Sequence, residues 1–248
     1  MDRIKEFEGK AVLVTGAGRS PGRAIAERFA DLGAIVAAHD LTPVNLDLTL
    51  DAIREAGGRA KGFISDLSKK MPAQLMVDQV LDEIGRIDIL VNACTVHPKK
   101  DLLVMDEWDW RHTLDMNLSA AFFLTQVIGR VMREQGGGVI IHIPGVGGSE
   151  LRSLAASTAS MLGVAGLTRV SSCELNEHNI RVHAILLGDP GIQLGPSAGA
   201  GLPAPSGGDG KALFGEDLVF AWTRYCCSQA SASQNGLVIH AAMGEAGR

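Results

Sequence analysis

The chain has 248 residues, 46% of them hydrophobic and 21% charged, with a formal net charge of -5. That length suits one large α/β domain, and the composition is that of a folded globular chain. The acidic balance and the lack of any basic run exclude a nucleic-acid or anionic-membrane surface.

Residues 11–14 form a short β-rich apolar run that leads into glycine. A helical stripe of Ile25, Ala26 and Phe29 spans 21–32 and stops at Gly33, a C-cap residue. A second strand covers 34–38, a polar helix 44–56 and a third strand 61–64. A long helix over 72–84 ends at Gly85, and 87–91 is a fourth strand. Residues 108–133 read as one long helix, 139–143 as a fifth strand and 153–177 as a helix rich in small residues. A sixth strand over 182–187, a late helix over 215–228 and a last strand over 236–240 complete the order. Strands alternate with helices, and the mid-chain strands are unbroken apolar runs. This predicts an α/β chain: a doubly wound, mostly parallel seven-stranded sheet with helices on both faces. No linker or repeat divides residues 1–248, so one domain is expected. The stretch 195–210, nearly all Gly, Pro, Ser and Ala, reads as a flexible loop.

The first eight residues carry five charges and no apolar core, so no secretory signal is expected, nor any membrane span. A cytoplasmic location follows. Cys94, Cys173, Cys226 and Cys227 form no CxxC pair and no metal-ligand spacing, and no metal is expected.

Thr15-Gly16-Ala17-Gly18-Arg19-Ser20-Pro21-Gly22 joins the first strand to the first helix. A glycine-rich turn there can face backbone amides and a helix N-terminus toward a pyrophosphate. Asp40, 24 residues after Gly16, stands where an acid can accept from an adenosine ribose and favour NAD.

These residues resemble the short-chain dehydrogenase/reductase family, and the similarity runs along essentially the whole chain. The family turn is Thr-Gly-x-x-x-Gly-x-Gly. Thr15, Gly16 and Gly22 match it, while Ser20 replaces the middle glycine and Pro21 follows. Ser20 places a Cβ where backbone should approach phosphate, and Pro21 has no N–H to donate. Asp66 resembles the acid beside the adenine, and Asn92 is what remains of an Asn-Asn-Ala-Gly signature. Asn117 matches an asparagine of the family's proton relay; a satisfied helix polar group is the other reading of it.

In the resembling family a Tyr transfers the proton, a Lys four residues later lowers its pKa, and a Ser on the preceding strand end orients the substrate oxygen. Here Ser157 takes the Tyr position and Met161 the Lys position, and the Ser position falls on Pro144 or Gly145. The sole tyrosine is Tyr225. A serine hydroxyl without a neighbouring cation is a poor proton donor, and a thioether supplies no cation. A downstream Asn-x-x-x-Pro-Gly motif reads His183, Leu187 and Gly188.

The expectation is a non-catalytic subunit that pairs with a catalytically active homologue of the same family in a hetero-oligomer, a tetramer by the family's habit. NAD is expected in that partner, with none or only weak binding here. The helices over 108–133 and 153–177 would form the subunit contact, as the resemblance implies. Two alternatives remain open. One is an NAD-dependent oxidoreductase with relocated acid and base, for which His142 and His183 are the first candidates and His97 and His112 the others. The other is a homo-oligomeric ligand-binding protein.

Overall fold

The computed structural model describes residues 5–145, 153–188 and 215–241. The described residues form seven strands, most of them apolar runs: β1 (Ala11–Thr15), β2 (Ile35–Asp40), β3 (Arg59–Ile64), β4 (Ile89–Asn92), β5 (Gly138–His142), β6 (Ile180–Leu187) and β7 (Val238–Ala241). They form one sheet in the order β3-β2-β1-β4-β5-β6-β7, and every adjacent pair is parallel. The expected architecture is present, with parallel pairing throughout rather than in most of the sheet. All residues of β1 and β4 are buried, as strands covered on both faces must be.

Among the described residues, seven α-helices cover the sheet: α1 (Gly22–Asp31), α2 (Pro43–Glu55), α3 (Lys70–Ile84), α4 (Glu107–Leu114), α5 (Ala120–Gln135), α6 (Ala155–Leu175) and α7 (Gly215–Cys227). On one face α1, α2 and α7 bury Phe29, Leu46, Ile53, Val219 and Phe220 against Val12, Val14, Ile141 and Ile185. On the other, α3 and α5 bury Met76, Val77, Leu124 and Ile128 against Leu13, Leu90, Ile140 and Val182. Met161 and Ala165 of α6 join Ala184, Leu186 and Val238 in a third apolar cluster.

The helix expected over 108–133 is two helices. A π-helical turn, Asp115–Ser119, joins α4 to α5. The extra residue of a π turn leaves the apolar stripe continuous in the sequence but rotates the backbone locally. The result is a buried Asn117. Segment 195–210, expected as a loop, lies outside the described residues. No helix among the described residues is long and apolar enough to cross a membrane.

The strand order reverses at β1, which has β2 on one side and β4 on the other. In such sheets the crevice beyond the carboxyl ends at the reversal is the ligand position. Among the described residues, Gly16 after β1 lies against Ala93 and Cys94 after β4, and Gly145 after β5 stands beside Leu187 and His97.

Candidate functional site

The turn after β1 is held by its own packing. Gly16 has φ +70°, and a Cβ on it would stand 2.9 Å from the Ala93 carbonyl oxygen. A Cβ on Gly22 would fall 2.4 Å from the Gly16 oxygen, so α1 can begin only with glycine here. Thr15 Oγ1 donates to Asn92 Oδ1 at 2.6 Å, locking the ends of β1 and β4 together. Three turn amides donate inside the protein, beginning with Ala17 N to the His39 oxygen at 2.8 Å and Arg19 N to the Gly16 oxygen at 3.4 Å. Gly18 N donates to Asp40 Oδ2 at 3.0 Å, while Asp40 Oδ1 accepts from Leu41 N at 2.7 Å. Each Asp40 oxygen keeps a lone pair free for a ribose hydroxyl. Asp66 Oδ1 accepts from Ser68 N at 3.0 Å, and its residue lines a cleft of about 620 Å³ with Leu41, Trp108 and His112.

Ser20 is exposed, and its hydroxyl donates to a carboxylate oxygen of Glu216 at the start of α7. Nothing in the sequence announces that contact, because the two residues are 196 positions apart. Pro21 takes the N-cap place of α1 and makes no side-chain cap.

The three positions aligned with the family's catalytic groups are all closed. Ser157 and Met161 lie one turn apart on α6, as their spacing predicts. Both are buried: Ser157 is 1% exposed and Met161 0%. Ser157 Oγ has no hydrogen-bond partner. Met161 packs among Leu154, Ala165, Ala184, Leu186 and Val238, a surface that would disfavour a lysine ammonium. Pro144 accepts from Leu187 N at 2.9 Å, and Gly145 bridges to Leu187. Those bonds tie the ends of β5 and β6 directly together.

Asn117 is fully satisfied. It accepts from Val96 N at 2.8 Å and donates to the Val96 oxygen at 2.9 Å and to Ser160 Oγ at 3.2 Å. Its side chain therefore pins the loop after β4. Beside that anchor, His97 Nε2 lies 3.1 Å from Thr95 Oγ1. The same nitrogen is 3.9 Å from where a Cβ on Gly145 would stand. An imidazole thus sits next to the place from which the expected serine would project. Thr95 is a member of this pair that motif matching passes over, since it falls on a glycine of the signature.

His142 and His183 correct the expectation of a relocated acid and base. Both are in the core, at 1% and 0% exposure. His142 Nε2 meets Thr125 Oγ1 of α5 at 3.2 Å, and burial pulls its pKa down to about 4. His183 has no partner on either ring nitrogen, and burial, then the nearby Arg181 charge, lowers it to about 3. Neither reaches the crevice. His112 stacks on Trp108 of the same helix, ring centroids 4.7 Å apart. Cys94 does border the crevice, but burial and then the Asp40 carboxylate raise its thiol to about 11, so it is a protonated packing residue. Among the described residues, no group of three or more His, Cys, Asp or Glu could hold a metal.

A nicotinamide dinucleotide is the group this crevice would take. The adenosine half fits: Asp40 keeps lone pairs, and Asp66 borders an open cleft. The pyrophosphate and nicotinamide halves do not, given the Ser20–Glu216 contact, the missing Pro21 amide and the buried Ser157 and Met161.

Residues 10–192 match the family described as short chain dehydrogenase. The chain is 37% identical over 176 residues to the short-chain reductase protein NovJ of Streptomyces niveus, covering 71% of this chain and 67% of that one. It is 32% identical over 185 residues to (2S)-[(R)-hydroxy(phenyl)methyl]succinyl-CoA dehydrogenase subunit BbsD of Thauera aromatica, covering 73% of each. Among solved structures, hydroxysteroid dehydrogenase from Escherichia coli superposes with a TM-score of 0.77 at 27% identity, over 96% of this chain and 97% of that one. These relatives are oxidoreductases built on the NAD(P)-binding α/β fold described above. With its parallel sheet, its glycine-rich turn and a match over residues 10–192, this chain belongs to the short-chain dehydrogenase family.

Proposed function

We propose that this chain is a non-catalytic member of its family. It would serve as the structural or regulatory subunit of a hetero-oligomeric, NAD-dependent alcohol dehydrogenase, a heterotetramer in which a homologue that retains Tyr and Lys does the chemistry. The observation that carries this reading is Met161. It stands where the family lysine belongs and is sealed in an apolar cluster. Ser157 beside it and Pro144 on the facing strand end remove the other two catalytic groups. NAD then belongs to the partner, with weak binding or none in this chain.

The assembly surface is a groove of about 330 Å³ between α5 and α6, lined by Phe122, Gln126, Arg130, Leu167, Val170 and Glu174 among others. Phe122 and Val170 are 44% and 57% exposed there. A Cβ on Gly166 would meet nothing within 4 Å, so a neighbouring helix has room to approach. The resemblance to a protein named as a dehydrogenase subunit makes 2-(hydroxybenzyl)succinyl-CoA dehydrogenase of anaerobic toluene degradation the specific candidate assembly. Mixing the purified chain with its partner tests this: hydride transfer to NAD should appear only in the mixture and survive Ser157→Ala in this chain. Turnover by this chain alone would refute the reading.

One second reading has a specific observation behind it. With His142 and His183 buried, the acid–base pair available in the crevice is His97 with Thr95, 3.1 Å apart. If that pair works, the lone chain turns over and His97→Asn abolishes it.

A further inference from the structure

We propose that the Glu216 carboxylate, docked on Ser20, occupies the phosphate-facing mouth of the glycine-rich turn and keeps anionic nucleotides out of it. This goes beyond the subunit assignment, because it concerns how this chain closes its own crevice and needs no partner.

Three sets of observations converge. The first is the donors. A turn of this kind binds phosphate through free backbone amides and the partial positive charge of the helix that follows. Here Ala17, Gly18 and Arg19 donate within the protein, and Pro21 has no amide hydrogen. The hydroxyl that Ser20 brings is donated to Glu216.

The second is the anchoring of α7. Asp217, the next residue, pairs with Arg28 of α1. The Arg28 guanidinium lies 5.4 Å from the centre of the Phe220 ring, and Phe220 meets Phe29 edge-on at 5.5 Å. The first turn of α7 is thereby fastened to α1 by an ion pair, a cation–π contact and an aromatic contact. Glu216 is held at the turn rather than drifting past it.

The third is charge. Asp40 and Asp66 already stand on the adenosine side, and Glu216 adds a carboxylate on the phosphate side. Arg19 is the basic residue of the turn itself. A pyrophosphate entering there would displace a hydrogen bond and face a fixed like charge. An uncharged nucleoside would meet neither obstacle, because Asp40 still offers acceptors to ribose hydroxyls. The crevice therefore discriminates by phosphate charge.

The test is calorimetric titration of the full chain with ADP and with adenosine. Glu216→Gln should bind ADP roughly tenfold more tightly than wild type, the gain expected on removing one nearby like charge. Glu216→Asp keeps the charge and should match wild type, and adenosine affinity should change less than twofold in both variants. Thermal melts establish that all three proteins are folded. Equal ADP affinity in wild type and Glu216→Gln, or no measurable ADP binding by Glu216→Gln, overturns the proposal. So does a gain in Glu216→Asp as large as in Glu216→Gln, or an adenosine gain matching the ADP gain. Failure here leaves the subunit reading standing, since that reading rests on Met161 and Ser157.

Discussion

Met161 and Ser157, on the positions aligned with the family's Lys and Tyr, both lie in the core. A lysine head group needs water or a carboxylate, and the cluster around Met161 supplies neither. Met161→Lys should therefore lower stability by roughly 3 kcal/mol, measured as a drop in the urea midpoint, without creating activity. An unchanged midpoint would mean the ammonium finds solvent, and that the site is more open than Met161's burial indicates. His142 and His183 give a pH signature at the same scale. Their folded pKa values lie below the ordinary 6.5, at about 4 and about 3. The folded state holds them neutral while the unfolded chain protonates below 6.5, so their stabilisation is complete above 6.5 and is lost as pH falls toward 4. For His142 alone that amounts to about 3 kcal/mol. Denaturant titrations at stepped pH should show this loss, and His142→Leu should flatten it. A pH-independent stability between 7 and 4.5 would contradict the burial of these imidazoles.

At the level of elements, the sequence was most legible where one pattern had one cause. Most strands are apolar runs, so their existence and order followed directly, as did the glycines that end α1 and α3. Boundaries slipped where the chain extends past its apolar core: β3 begins at Arg59 and β6 at Ile180. In β3 the added residues are exposed, partly exposed or charged, and backbone pairing alone recruits them. The π turn at 115–119 was not legible, because an inserted residue leaves the composition of a helix unchanged. Ser157, Met161 and the 144–145 position were read from the fixed spacing of a motif, and the structure adds that all of them are buried. What the spacing could not show was contact across the chain. The Glu216 carboxylate on Ser20 and the His97 imidazole beside Gly145 both depend on how separate strand ends converge. The same limit applied to His142 and His183. A strand position says which face a side chain takes, and only the packing of α5 and α7 says that both faces are closed.

On the scale of the whole molecule, scaffold and chemistry separate. The seven-stranded parallel sheet of the family is present, and in the proposed reading the α5–α6 surface serves assembly while the proton-transfer groups are lost. If that surface joins subunits, a charge in the groove should dissociate them. Val170→Arg is expected to halve the assembly mass by size-exclusion chromatography with light scattering while leaving the chain's thermal unfolding nearly unchanged, since Val170 is already 57% exposed. A variant that still assembles fully would place the contact elsewhere.

In the reading proposed here, this chain works beside an active homologue. The most direct measurement is a native mass spectrum of the protein purified from its own host without overexpression. The expected result is copurification, in equal number, of a second chain of similar size that carries Tyr and Lys where this one has Ser157 and Met161. A spectrum containing only multiples of 26.1 kDa would contradict it.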